Sequence, residues 1–158
     1  MIQKIFIGIA LITSNALLWA QRQEGVGTYY HERFWGIRTS SGEVYHPFVY
    51  SAAHRTLPFG TWVEVELLKT GKKTIVKVND RGPFFRGGVI DVSKIAAKEL
   101  GLVDYGNSKV KVRPLSELEL TDSLKSFLFK RDSLAKVEHP KPMRKSKRKK
   151  KNRKRKKR

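Results

Sequence analysis

The chain has no cysteine among its 158 residues. That absence excludes disulfides, thiolate metal ligands and a lipid carried on an N-terminal cysteine, so stability must come from a packed core. Acidic residues are scarce, with 14 Asp and Glu against 34 Lys and Arg and a formal charge of +20. There is no Gly-x-Ser-x-Gly elbow, no Walker-type phosphate loop and no histidine pair at zincin or finger spacing. Serine-nucleophile, nucleotide-phosphate and metal chemistry therefore have no motif to stand on, and neither a metal nor a cofactor is expected. No internal repeat is present.

The apolar run from Ile5 to Ile12 is shorter than the roughly 20 residues that a spanning helix needs. With Lys4 before it and the small Ala20 after it, residues 1–20 read as a secretory signal peptide cleaved after Ala20. Export without disulfides fits a bacterial periplasm or cell envelope, and no transmembrane anchor is expected after cleavage. The other end is one-sided: fourteen of residues 141–158 are Lys or Arg and none is acidic. Without those fourteen the chain holds 20 basic and 14 acidic residues, a charge of +6. Residues 140–158 therefore read as a disordered, self-repelling tail able to hold envelope polyanions in a salt-dependent way. An exported chain does not meet the nuclear import machinery, and no dedicated nucleic-acid partner is expected.

Between these ends the pattern is mostly β. Residues 25–30 alternate weakly. Val63, Val65 and Leu67 share one face of a strand whose other face carries Glu64 and Glu66, and Lys69 to Lys72 turn the chain into a hairpin partner from Lys73 to Val78. Ser93 to Leu100 has the spacing of a short helix, with Ser93 or Asp91 as N-cap, Ile95, Ala96 and Leu100 turned inward and Gly101 as stop. Val110 to Arg113 alternates again and ends at Pro114. Short strands with one small helix point to a compact β-barrel over 25–115. In 116–139, Leu120, Leu124, Phe127 and Leu128 have helical spacing and mark an amphipathic helix or linker.

The run Asn79-Asp80-Arg81-Gly82-Pro83-Phe84 places a carboxylate where a strand meets a turn that glycine and proline make stiff. Stiffness is what holds an acid in position, although Asp in a turn also bonds simply to its own backbone. Glu43, His54 and Asp91 are the other acid–base candidates.

Taken in order, Phe34 to Glu43, Ala52 to Gly60, Val78 to Phe84 and Ile90 to Ser93 with Ala96-Ala97 and Leu100-Gly101 resemble the rare lipoprotein A family of lytic transglycosylases. The resemblance runs from residue 25 to 113. It implies a six-stranded double-psi β-barrel that cleaves peptidoglycan glycan strands, preferring strands without stem peptides, and leaves 1,6-anhydro-muramyl ends. It places the family's functional residues on Glu43, His54 and Asp80, with Asp91 matched but read as a helix cap. On this reading Asp80 is the acid and then the base, Glu43 raises its pKa and stabilises the oxocarbenium-like transition state, and a neutral His54 bonds to substrate or carboxylate. Tyr29, Tyr30, Trp35, Arg81 and Phe84 are the substrate-binding candidates.

The opening motif departs from the family pattern, with Tyr29 in place of its tryptophan and His31 in place of its glycine. The chain holds neither a lipidated cysteine nor a sporulation-related glycan-binding domain, so septal recruitment by that domain is not implied. A monomer is expected. The competing reading is a non-catalytic, expansin-like module that binds glycan and loosens the wall.

Overall fold

A computed structural model describes residues 22–139 of the chain. The expected signal peptide and the whole of the basic tail lie outside the described residues.

Six strands form the molecule's centre: β1 (Gln23–Tyr29), β2 (Ser51–His54), β3 (Trp62–Leu67), β4 (Lys73–Asp80), β5 (Gly88–Val92) and β6 (Ser108–Pro114). They close in the order β1-β5-β2-β4-β3-β6. Closure pairs every strand on both sides, so no edge is left to template aggregation. Two neighbouring pairs, β1/β5 and β2/β4, are parallel and the other four are antiparallel. This is the double-psi β-barrel that the resemblance implied.

The hairpin of β3 and β4 forms where alternation placed it, with Val63, Val65, Leu67, Val76 and Val78 fully buried. Glu64 and Glu66 face outward and pair with Lys73, and Glu64 also pairs with Arg113. Gly27 is required on β1 because a Cβ there would lie 2.7 Å from Val110 Cγ1. The sequence reading had no strand at β2 or β5. Ser-Ala-Ala-His has little intrinsic strand preference, and β2 exists because β4 and β5 pair with its two sides.

Helix α1 (Lys94–Leu100) ends at Gly101 in the left-handed region, as its sequence requires. Its N-cap position is Ser93, whose side chain makes no capping hydrogen bond. Ala97, rather than Ile95, joins Ala96 and Leu100 in the core. A short α2 (Leu102–Tyr105) leads into β6. Helix α3 (Asp122–Glu138) is capped by Thr121, whose hydroxyl accepts from Leu124 N at 3.2 Å. It packs outside the barrel, where Leu120, Leu124 and Leu128 meet Trp62, Leu115 and Ile75 in a second apolar cluster. Phe127, read as inward, is 61% exposed, because the narrow stripe that contacts the barrel centres on Leu128. No described helix is long and apolar enough to cross a membrane.

Candidate active site

Strand β2 lies between β4 and β5, and its residue Ala53 is in register with Asp80 on one side and Asp91 on the other. Residues directly opposite in a sheet project to the same face, so the two carboxyl groups flank one methyl group. The register is produced by a bulge: Ala52 pairs with Val78 and Ala53 with Asp80, leaving Asn79 as the extra residue of β4. Such bulges re-aim side chains at a sheet's end. Asp80 is therefore the last residue of a strand, not a turn residue.

Four hydrogen bonds hold the Asp80 carboxylate. Its Oδ1 accepts from Ser40 N at 2.8 Å, Ser40 Oγ at 2.6 Å and Arg81 N at 2.8 Å, and its Oδ2 accepts from Tyr30 Oη at 2.7 Å. Burial pushes the Asp80 pKa up, but these donors to the charged form outweigh it and hold the group below its ordinary value. This corrects the expectation that Asp80 carries a raised pKa.

Asp91 behaves in the opposite way. Burial lifts it to about 6, the charge of Asp80 adds to that effect, and the hydrogen bond from Thr28 Oγ1 at 2.9 Å opposes it. Asp91 is a strand residue of β5 and not a helix cap. Its signal was present in the sequence: one acid alternating with Ile90 and Val92 must face away from the core that they fill.

Tyr30, read as a sugar platform, is 9% exposed and stacks on Tyr45 at a centroid distance of 4.5 Å. It serves instead as a hydrogen-bond donor to Asp80, and burial followed by that bond raises its own pKa. Tyr29 is half-buried against the core, and Trp35 is half-buried with its edge toward His46 and Phe48. Of the proposed stacking residues only Phe84 stands open, at 80% exposure.

The turn after Asp80 is tied from outside. Arg81 Nη1 donates to Leu57 O at 2.9 Å and His54 O at 3.2 Å, and its guanidinium lies 3.8 Å over the Phe59 ring. Arg55 donates to Pro83 O at 2.5 Å and to Phe85 O. Arg81 thus fastens the loop after β2 to the turn, where substrate contact was expected of it. Gly82, at φ 131, takes a conformation that a side chain would resist, and the Gly82–Pro83 peptide is cis.

Glu43 does not meet Asp80. Its Oε1 accepts from Lys77 Nζ at 2.7 Å and its Oε2 from Asn79 Nδ2 at 2.9 Å. Burial raises its pKa, but the bonds from Lys77 and Asn79 and the charges of Lys77 and Lys136 bring it below the ordinary value. The carboxyl group on which the charge of Asp80 acts is therefore Asp91, not Glu43. His54 is 1% exposed. Its Nδ1 accepts from Leu57 N at 3.1 Å and Thr56 N at 3.3 Å, which leaves the proton on Nε2, facing Gln23 Oε1 at 3.2 Å. Burial, then the charges of Arg81 and Arg55, lower its pKa, so it is neutral as expected, but its partner is Gln23 rather than a catalytic carboxylate. Among the described residues no group of three or more His, Cys, Asp or Glu is arranged to hold a metal ion.

The fold and this site define a double-psi β-barrel with a pair of aspartates on one face of its sheet. The model of the family described as lytic transglycolase matches residues 22–112, and the chain belongs to that family. Its relatives include the endolytic peptidoglycan transglycosylase RlpA of Pasteurella multocida, 44% identical over 90 residues that cover 57% of this chain and 31% of the relative. The RlpA of Neisseria meningitidis is 47% identical over 93 residues, covering 59% and 39%. The probable RlpA of Treponema pallidum is 44% identical over 117 residues, covering 71% and 37%. The chain thus spans about a third of the length of the curated relatives it matches. Among solved structures, Streptomyces papain inhibitor is 24% identical with a TM-score of 0.49, covering 61% of this chain and 96% of its own. An expansin of Clavibacter michiganensis is 20% identical with a TM-score of 0.47, covering 61% and 51%. These scores are low and bear on neither function nor ligand.

Proposed function

We propose that this protein is an endolytic peptidoglycan transglycosylase of the bacterial cell envelope, exported by residues 1–20 and acting on glycan strands without stem peptides. The observation that carries the reading is the divided pair: two aspartates flank Ala53, one kept ionised by four donors and the other with a pKa pushed up to about 6. Two carboxyl groups whose surroundings drive their pKa values apart are the mark of an acid and an electrostatic partner.

Asp91 is the acid. In its protonated form it gives its proton to the glycosidic oxygen as the bond from the muramyl C1 breaks. As a carboxylate it then takes the proton of the same sugar's C6 hydroxyl, whose oxygen bonds to C1 and closes the 1,6-anhydro ring. Proton and electron pairs balance, no water is consumed, and Asp91 returns to its starting state. Asp80 remains an anion throughout. It favours the proton on Asp91 and stabilises the positive charge developing at C1. Tyr30 and Ser40 are positioning residues, because they act on substrate through Asp80. Phe84 is the sugar-stacking ring, and Glu43 is an ionised acceptor for sugar hydroxyls. His54 positions the loop to which Arg81 is tied.

The test incubates the protein with peptide-stripped glycan strands and identifies new ends by mass spectrometry. Wild type should produce 1,6-anhydro-muramyl ends, and Asp91→Asn should lower the rate by roughly 10²- to 10⁴-fold. Folded wild type that binds the strands without forming such ends would leave the expansin-like reading in its place. Equal rates from wild type and Asp91→Asn would overturn the assignment of the acid.

A further inference from the structure

Helix α3 lies beyond the residues that the family model matches, 22–112, and it carries apolar side chains on two faces. One face closes on the barrel through Leu124 and Leu128. On that side Arg131 lies 3.4 Å over the Tyr50 ring and donates to Ile75 O at 3.1 Å, and Asp132 Oδ1 accepts from Tyr50 N at 3.3 Å. The other face points away from the barrel. There Phe127, Leu134 and Val137 are 61%, 50% and 78% exposed. Their spacing sets them within about 80° of one another on an ideal helix, a single stripe in which the exposed Lys130 also stands.

Two properties of the chain choose the occupant of this stripe. The first is charge. Fourteen of residues 141–158 are Lys or Arg, none is acidic, and this run follows α3 directly in a chain of formal charge +20. A second copy of the chain would be repelled there, whereas an anionic surface is attracted. The acid nearest the stripe by spacing is Glu138, at the end of the helix, and the run beside it outnumbers it. The second property is the stripe's chemistry. Cations alone suit any polyanion, but glycan, polyphosphate and nucleic-acid backbones have no hydrocarbon in which Leu134 and Val137 could be buried. Anionic lipid has both the phosphate and the hydrocarbon. Lys130 fits the same partner, since its methylenes can lie along apolar surface while its ammonium reaches the phosphate level.

We propose that the outer face of α3 and the Lys/Arg run after it form a peripheral docking surface for an anionic lipid bilayer. The helix lies in the plane of the interface, with Phe127, Leu134 and Val137 seated among headgroups and upper acyl chains. The contacts of Arg131, Asp132 and Leu128 with the barrel are on the opposite side, so docking needs no change of fold and holds the barrel on the solvent side of the helix. Two weak signals act together here. A short apolar stripe partitions weakly by itself, and a basic run by itself binds reversibly and yields to salt. The inference does not depend on the transglycosylase reading.

The experiment uses the chain from Gln21 onward, which keeps every described residue and the basic run but removes the Ile5 to Ile12 segment, whose hydrophobicity would bind lipid by itself. Cosedimentation is measured with vesicles of equal parts phosphatidylcholine and phosphatidylglycerol, and with vesicles of phosphatidylcholine alone. Because the chain has no cysteine, Val137→Cys accepts one environment-sensitive fluorophore at a known point of the stripe. The unlabelled protein should bind the anionic vesicles, bind phosphatidylcholine far more weakly, and lose affinity as salt rises. The Val137→Cys label should shift to the blue on anionic vesicles and stay unshifted with soluble polyphosphate. The triple variant Phe127→Ser, Leu134→Ser, Val137→Ser should keep the circular-dichroism spectrum, since these side chains are exposed, and bind the vesicles roughly 10- to 100-fold more weakly. Removal of residues 141–158 should cost a similar factor and most of the salt dependence. Vesicle binding by the triple variant equal to that of wild type, or an unshifted label on bound protein, would overturn the proposal by leaving charge as the whole attraction. A lipid-free dimer that the triple variant abolishes would also overturn it, making a second copy the occupant.

Discussion

Asp80 and Asp91 occupy adjoining strands on either side of Ala53, in register with it, and the structure gives them opposite protonation tendencies. Four donors reach Asp80, and one reaches Asp91. The chemistry of the site follows from that inequality.

Activity should decline as pH rises through about 6, because the acid form of Asp91 is lost there. Asp80→Asn removes a negative charge that favours the proton on Asp91, so it should move this limb of the kcat profile to lower pH as well as slow the reaction. The pH–rate profiles of the two proteins on peptide-stripped strands decide it, and an unmoved limb would uncouple the two groups.

Asp91→Asn should stabilise the protein at neutral pH. A carboxyl raised from 3.8 to about 6 binds more proton folded than unfolded, so it lowers stability progressively as pH rises across that window, by at most about 3 kcal/mol above it. Urea unfolding at pH 4 and pH 7 should show the variant's advantage only at the higher pH. Asp80 has the reverse sign: its depressed pKa contributes stability above the unfolded value, which is lost as pH falls through the folded one.

Tyr30→Phe should keep the ring packing against Tyr45 and Phe34 but leave Asp80 Oδ2 without its donor. The loss of a hydrogen bond to a charged group costs roughly 1.5–3 kcal/mol. NMR titration of the Asp80 carboxyl should show its pKa rising toward the ordinary value, and an unchanged titration would remove Tyr30 from its role as positioning residue.

His54→Gln should destabilise the loop after β2, since Thr56 N and Leu57 N lose their acceptor. Because His54 has its pKa lowered in the folded state, its contribution is complete above the unfolded value near 6.5 and falls as pH drops below it. The difference in unfolding free energy between wild type and variant should therefore narrow from pH 8 to pH 5. A difference that widened would mean that His54 is charged in the fold.

Much of the barrel was readable before any coordinates. Strands β3 and β4 alternate cleanly, so period alone placed Val63, Val65, Val76 and Val78 inside, and the motif series around Glu43, His54, Asp80 and Asp91 pointed to the family. Strand β2 was not readable, because Ser51 to His54 become a strand only when two neighbours pair with them. The same holds for the roles within the site. A sequence lists acids without saying which donors will surround them, and the assignment of the raised pKa to Asp80 failed because Tyr30 and Ser40 lie 50 and 40 positions away in the chain.

By itself, then, the sequence determined the classes of residue available: acids at Glu43, Asp80 and Asp91, no cysteine, a strand period and a turn stiffened by Gly82 and Pro83. Only the tertiary structure decided that Asp80 and Asp91 share one face, that Glu43 turns instead toward Lys77 and α3, and that His54 is buried beside Gln23. The physical reason is that period and turn chemistry are local, whereas a pKa is set by burial and by donors that the fold brings from distant parts of the chain.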